Sequence, residues 1–97
     1  MIKVKLDRYD LKLMVNCLYQ ARDLYTDEPK ENITMVTLFL LDRHDELKPG
    51  RKMNIRFDTN QLRIVIECLN AWRTALRTAG DDWQAEDVSE LLLKFMR

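Results

Sequence analysis

Apolar and polar residues alternate over Ile2-Lys3-Val4-Lys5-Leu6, and again over Lys52-Met53-Asn54-Ile55-Arg56-Phe57. A period of two with one apolar face predicts a half-buried strand at each place. Behind each strand the period becomes helical. Leu11, Met14, Val15, Leu18 and Tyr25 form a stripe over roughly 8–26, widened by Leu13, Cys17, Ala21 and Leu24. Leu62, Val65, Ile66, Leu69 and Leu76 repeat it over roughly 59–79, with Ile64, Cys68, Trp72 and Ala75 beside it. Faces this broad imply that each helix touches more than one neighbour. Asp7 and Asp58 stand where N-caps belong, with Asp10 and Gln61 three residues on, as in a capping box. A second helix closes each unit. The first lies within 29–47, carried by Ile33, Val36, Phe39, Leu40 and Leu47, with Pro29 fitting only near its first turn. The other spans about 83–96, with Asp81 or Asp82 as cap and Val88, Leu91, Leu92 and Phe95 inward.

The order β-α-α-β-α-α is that of a duplicated unit. Sliding residues 2–26 onto 53–77, an offset of 51, makes five pairs identical: Asp7/Asp58, Leu11/Leu62, Cys17/Cys68, Leu18/Leu69 and Arg22/Arg73. After a one-residue slip in the next loop, Val36/Val88, Leu40/Leu92 and Leu41/Leu93 align as well. The turn signal Lys48-Pro49-Gly50-Arg51 falls on the boundary, so residues 1–97 read as one domain of two repeats, 1–48 and 51–97. A lone strand leaves its backbone edges unpaired, whereas two equivalent strands can zip antiparallel about a pseudo-two-fold axis. The expected fold is therefore α+β and mostly helical: a tandem β-α-α repeat with a two-stranded antiparallel ribbon packed on four helices.

Composition narrows the function. Sixteen Lys+Arg balance 16 Asp+Glu over 97 residues, which argues against a dedicated polybasic binder of nucleic acid or membrane. The longest apolar run, Leu38-Phe39-Leu40-Leu41, is far short of the ~20 residues of a membrane helix. Met1 leads into the first strand with no basic and apolar leader, so the reading is a soluble, cytoplasmic protein without a membrane partner. Cys17 and Cys68 lie inside apolar helical patterns and read as reduced core thiols. With one His and no paired-Cys motif there is no metal-site spacing, and no cofactor is implied. Neither Gly50 nor Gly80 belongs to a phosphate-binding loop. His44 sits in Asp42-Arg43-His44-Asp45 near a helix end, where an exposed, structural histidine is favourable beside free carbonyls. The chain does not read as an enzyme.

Arg22 and Arg73 are retained in both units, on or beside the apolar stripe, and predict equivalent ion pairs to acidic residues of the closing helices or an anion site. The polar face of the third helix aligns Arg63, Asn70 and Arg77, and Tyr19 is an aromatic on the matching face of the first. Tyr and Arg are enriched at the energetic centres of interfaces, so Tyr19, Arg63, Asn70 and Arg77 are the candidate partner-binding residues. Trp72 reads as core, and Trp83 as a staple or surface anchor.

Strand, helix, helix, in two copies pairing through a short ribbon, resembles the ribbon-helix-helix family of DNA-binding regulators. There, two chains donate one strand each and polar strand residues read the major groove. The resemblance covers the whole chain in topology, and it implies that the outward positions Lys3, Lys5, Asn54 and Arg56 contact nucleic acid. Lys and Arg donate to guanine and Asn pairs with adenine, so these residue types suit the task. This chain departs from the family in a longer first helix and in acidic starts to the second helices, Asp27-Glu28 and Asp81-Asp82. Its net charge is zero where phosphate contacts dominate affinity. The second unit is also similar to short, uncharacterised single-unit proteins carried by mobile genetic elements of gut Firmicutes, through the strand 53–57, the helix 61–77 and the segment 87–94. The leading reading is a non-enzymatic module for an unidentified protein partner, an accessory protein of a mobile element. The alternative is a ribbon-helix-helix-like DNA-binding regulator.

Overall fold

Six elements follow one another in a computed structural model that describes residues 2–25 and 27–96, with all side chains but those of Asp27 and Glu28. They are β1 (Ile2–Asp7), α1 (Arg8–Arg22), α2 (Asp27–Glu46), β2 (Lys52–Phe57), α3 (Thr59–Thr78) and α4 (Asp82–Phe95). The fold is α+β, a two-stranded antiparallel ribbon carried on helices.

The ribbon's register obeys the repeat. Val4 faces Ile55, its own equivalent at the offset of 51, so the pseudo-axis passes between them. Ile2 opposite Phe57 mirrors Leu6 opposite Met53, and Lys3 opposite Arg56 mirrors Lys5 opposite Asn54. Alternation does the rest: Val4, Leu6, Ile55 and Phe57 are buried, and the residues between them are exposed. Slipping by one residue would turn all four apolar side chains to water, which holds the register.

Both strands run straight into capped helices. The Asp7 carboxylate accepts from the Asp10 amide at 2.8 Å while Asp10 accepts from the Asp7 amide at 3.1 Å. Asp58 and Gln61 repeat the exchange at 2.7 and 3.0 Å. Of the two candidates at the start of α4, Asp81 is the cap, accepting from the Gln84 amide.

Helix α1 packs on α2 and on α3, and α3 on α4, so the two Cys-bearing helices meet at the centre. Phe57 lies fully buried beneath the ribbon, edge-on to Phe39 of α2 and to Phe95 of α4, which ties both closing helices to one strand. Fully burying a side chain of this size contributes roughly 1.5–3 kcal/mol. Trp72 packs partly buried against this core, while Trp83 is 79% exposed.

The stretch between α1 and α2 departs from the sequence expectation. Helix α1 ends at Arg22 rather than near 26, and Leu24, expected on its stripe, is exposed. Helix α2 begins two residues before Pro29, which thereby falls in the first turn, where an amide has no intrahelical carbonyl to reach. The chain must turn before that point, and it does so through tight bonds from Leu24 and Tyr25 to the carbonyls of Ala21 and Arg22. The second unit turns by another device. Gly80, at φ +81°, lets the amides of Gly80 and Asp81 reach back to the carbonyls of Arg77 and Leu76, a Schellman end from which Asp81 starts α4 directly.

Candidate functional site

The solvent face of the ribbon gathers the four strand residues singled out for nucleic acid. Lys3 and Arg56 stand directly opposite each other, as do Lys5 and Asn54, and all four are exposed. Lys52 extends the row opposite Asp7. Four cations thus share one short face with a single carboxylate, and that carboxylate caps α1. Side chains directly opposite lie about 5 Å apart at Cβ, and like charges so placed destabilise a sheet. Among the described residues none of these four cations forms a salt bridge. At one end of the ribbon Arg8, Arg51 and Lys52 line a shallow hollow of about 230 Å³ with Tyr9 and Gly50. The start of α4 is acidic, as expected, with Asp82 in its first turn. Asp27 and Glu28 open α2, and their side chains lie outside the described residues.

The candidate partner residues separate. Tyr19 is exposed, and its ring lies under the Arg22 guanidinium at 5.2 Å. At the equivalent position Asn70 accepts from Arg73 at 2.9 Å. Tyr19 and Asn70 therefore steady the repeated arginine of their own helix, one by its face and one by its amide oxygen. Arg77 points to the Ser89 hydroxyl on α4 at 3.5 Å, and Arg63 stands at the other end of α3 in the wall of a groove against α2. These contacts join Asn70 to Arg73, and Arg73 and Arg77 to Ser89; they bring neither Tyr19 nor Arg63 to the others.

The repeated arginines were expected to meet carboxylates. Among the described side chains they meet hydroxyls instead: Arg22 reaches Thr34 at 3.4 Å and Arg73 reaches Ser89 at 3.3 Å. Each hydroxyl donates to the carbonyl four residues back on its own helix, so its lone pairs are left for the guanidinium. His44 is half-buried rather than exposed, with Asp45 at 3.3 Å from Nδ1 although the two are adjacent on the helix. No hydroxyl or thiol of the described residues bonds to it. Cys17 and Cys68 are free and buried, and burial pushes both thiols up to about 12, with the neighbouring thiol adding for Cys17 and Glu67 adding for Cys68. Among the described residues no group of His, Cys, Asp and Glu is gathered to hold a metal, and no helix is long and apolar enough to cross a membrane.

Sequence reasoning missed the seam between α2 and α3. Two adjoining hollows of about 300 and 460 Å³ run along it, sharing Asn32, Arg63 and Ile64. Met35 and Leu38, on the outer side of α2, are 69% and 56% exposed. The pseudo-equivalent seam, between α4 and the start of α1, is bridged. There Tyr9 donates to Asp87 at 3.2 Å and Lys94 donates to the buried Asp10 at 2.7 Å. The hydrogen bond to Asp87, and then the charge of that carboxylate, raise the Tyr9 phenol above its ordinary value. Asn60 and Met35 replace Tyr9 and Asp87 on the open side, and Gln61 and Asp42 replace Asp10 and Lys94. The available signal was the comparison of the two units, in which Met35 stands at the position of Asp87 and Asp42 at that of Lys94. Compared with known proteins, the chain matches no family model, no curated protein and no solved structure.

Proposed function

We propose that the protein is a non-enzymatic binding module that takes duplex DNA on the solvent face of its ribbon, in the manner its ribbon-helix-helix-like topology implies. The observation that carries this reading is the row of Lys3, Lys5, Lys52 and Arg56 on one exposed face, with Lys3 directly opposed to Arg56 across the strands. A polyanion relieves that repulsion, and releasing its counterions drives association. Lys5 and Asn54 lie side by side as a cation and an amide that can read base edges. The test is fluorescence anisotropy with random duplex DNA. Binding is expected at low salt, falling steeply as salt rises, and lost in Lys3→Ala/Arg56→Ala while the helical circular dichroism is unchanged. A flat titration to micromolar protein contradicts the reading.

A second reading, an accessory module of a mobile element that binds a protein partner, is favoured by the exposed Met35 and Leu38 on α2. Exposed apolar side chains grouped on one helix mark protein contacts more often than single ones do. It predicts co-purification with one defined protein, lost in Met35→Asp/Leu38→Asp and kept in Lys3→Ala/Arg56→Ala.

A further inference from the structure

The surroundings of the repeated arginine differ between the units. In the first, Arg22 lies over the Tyr19 ring and reaches one hydroxyl, that of Thr34. In the second, Arg73 donates to the Ser89 hydroxyl at 3.3 Å, and Arg77, whose equivalent in sequence is Thr26, donates to the same oxygen at 3.5 Å. Two guanidinium groups thus converge on one neutral oxygen of α4. That hydroxyl gives its own proton to the Ala85 carbonyl, and Asn70 holds Arg73 at 2.9 Å. Among the described residues neither arginine forms a salt bridge. The acids around them are turned elsewhere. Glu67, the one acid of α3, lines the groove against α2, and Asp81 bonds Gln84 at the start of α4. Asp82, Glu86 and Asp87 line a hollow with Trp83, and Glu90 stands about 100° round the helix from Ser89.

We infer that Arg73, Arg77 and Ser89 form a binding site for a phosphoryl oxyanion, a free phosphate or a small phosphate monoester. Arg73 and Arg77 lie four residues apart on α3, a spacing at which like charges repel. A neutral hydroxyl leaves that repulsion in place, and a guanidinium cannot relieve it by losing its proton. Each guanidinium carries five N–H donors, of which Arg73 commits two here and Arg77 one. Donors to spare on two neighbouring cations match the three oxygens and double charge of a phosphoryl group. The site occupies the last six residues of α3, about 20 Å along the helix from its start beside the ribbon. This inference and the DNA reading therefore stand or fall separately.

The experiment is a titration of the full chain with inorganic phosphate, followed by proton–nitrogen correlation spectra, with chloride exchanged out to hold the ionic strength constant. Saturable shifts of the Ser89 amide and of the Arg73 and Arg77 Nε–H signals are expected, half complete at about 1 mM or below. O-phosphoserine is titrated in parallel, and the probe that saturates at the lower concentration tells free phosphate from monoester. Arg77→Gln, at an exposed position, and Arg73→Lys, which keeps the charge but loses the fork, are each expected to weaken binding about tenfold or more. Ser89→Asp sets a carboxylate between the two arginines and is expected to abolish it, with the fold checked by circular dichroism. Lys3→Ala/Arg56→Ala is expected to bind as the wild type does. Shifts that saturate with neither probe by about 20 mM overturn the inference, as do equal shifts with chloride alone or an unchanged affinity in Arg77→Gln. So does loss of binding in Lys3→Ala/Arg56→Ala, which would assign the anion to the ribbon. Shifts of the same signals with a short DNA duplex would assign it to the DNA backbone and overturn it too.

Discussion

Two seams related by the same pseudo-axis are finished differently. Where α4 crosses the start of α1, Tyr9 meets Asp87 and Asp10 meets Lys94, so polar side chains bridge the helices. Where α2 crosses the start of α3, the corresponding residues make no such bridge among the described side chains, and a groove remains. The buried parts of the units, by contrast, are equivalent: Leu6 and Phe57, Leu18 and Leu69, and Cys17 and Cys68 hold matching buried positions under one ribbon. Packing constrains the shared interior because every cavity or clash there costs stability. The rim is free of that constraint, and it is at the rim that two copies of one unit differ.

Substitutions can break the comparison where it is strongest. Phe57→Ala removes the ring that touches both closing helices and should cost about 3–5 kcal/mol by urea denaturation. Its mate Leu6→Ala, equally buried, should cost about 2–5 kcal/mol, and an effect under 1 kcal/mol at either would mean that the core is not shared. Across the seams, Asp10→Ala removes both a capping arm and the Lys94 partner and should cost about 2 kcal/mol, against at most about 1 kcal/mol for Gln61→Ala. Equal losses would erase the difference between the seams. The two turns separate next. Gly80→Ala meets no atoms but holds a left-handed φ, so about 1 kcal/mol is expected, while Asp23→Ala at the end of α1, where the backbone is right-handed, should be near neutral.

The smallest effect at neutral pH is that of the thiols. In the fold Cys17 and Cys68 stay protonated to about 12, whereas an unfolded chain releases these protons near the ordinary thiol value of about 9. Above about pH 9 the unfolded state binds fewer protons, so stability should fall as pH rises from there towards 12 and stay indifferent to these groups below. Urea midpoints of wild type and Cys17→Ala/Cys68→Ala, compared at pH 7 and pH 10, measure this. The gap between them should narrow at the higher pH, and a gap that widens contradicts the burial of the thiols.

Ribbon, caps and core were legible because each rests on a local pattern: alternation at 2–6 and 53–57, an aspartate before each helix, and apolar side chains at helical spacing. The end of α1 was not, since its apolar pattern runs on to Tyr25 and only the requirement that Pro29 sit in the first turn of α2 stops it at Arg22. The arginine partners were misjudged because opposite charge was weighed above the hydroxyls of Thr34 and Ser89, which the packing of closing helix on first helix brings nearer. Tyr19 and Asn70 drew attention by exposure and type, while their contacts are with arginines one turn along. The seam was invisible from one unit alone; comparing position 35 with 87, and 42 with 94, brings it out.

The register of the ribbon fixes which strand side chains face the core and which face water, and nuclear Overhauser contacts between the strands measure it directly. Cross-strand contacts between Val4 and Ile55, with those between Lys3 and Arg56 and between Lys5 and Asn54 placed evenly on either side, are the expected result. Contacts shifted along either strand, so that Val4 meets any residue but Ile55, or no contacts between residues 2–7 and 52–57, would contradict the account.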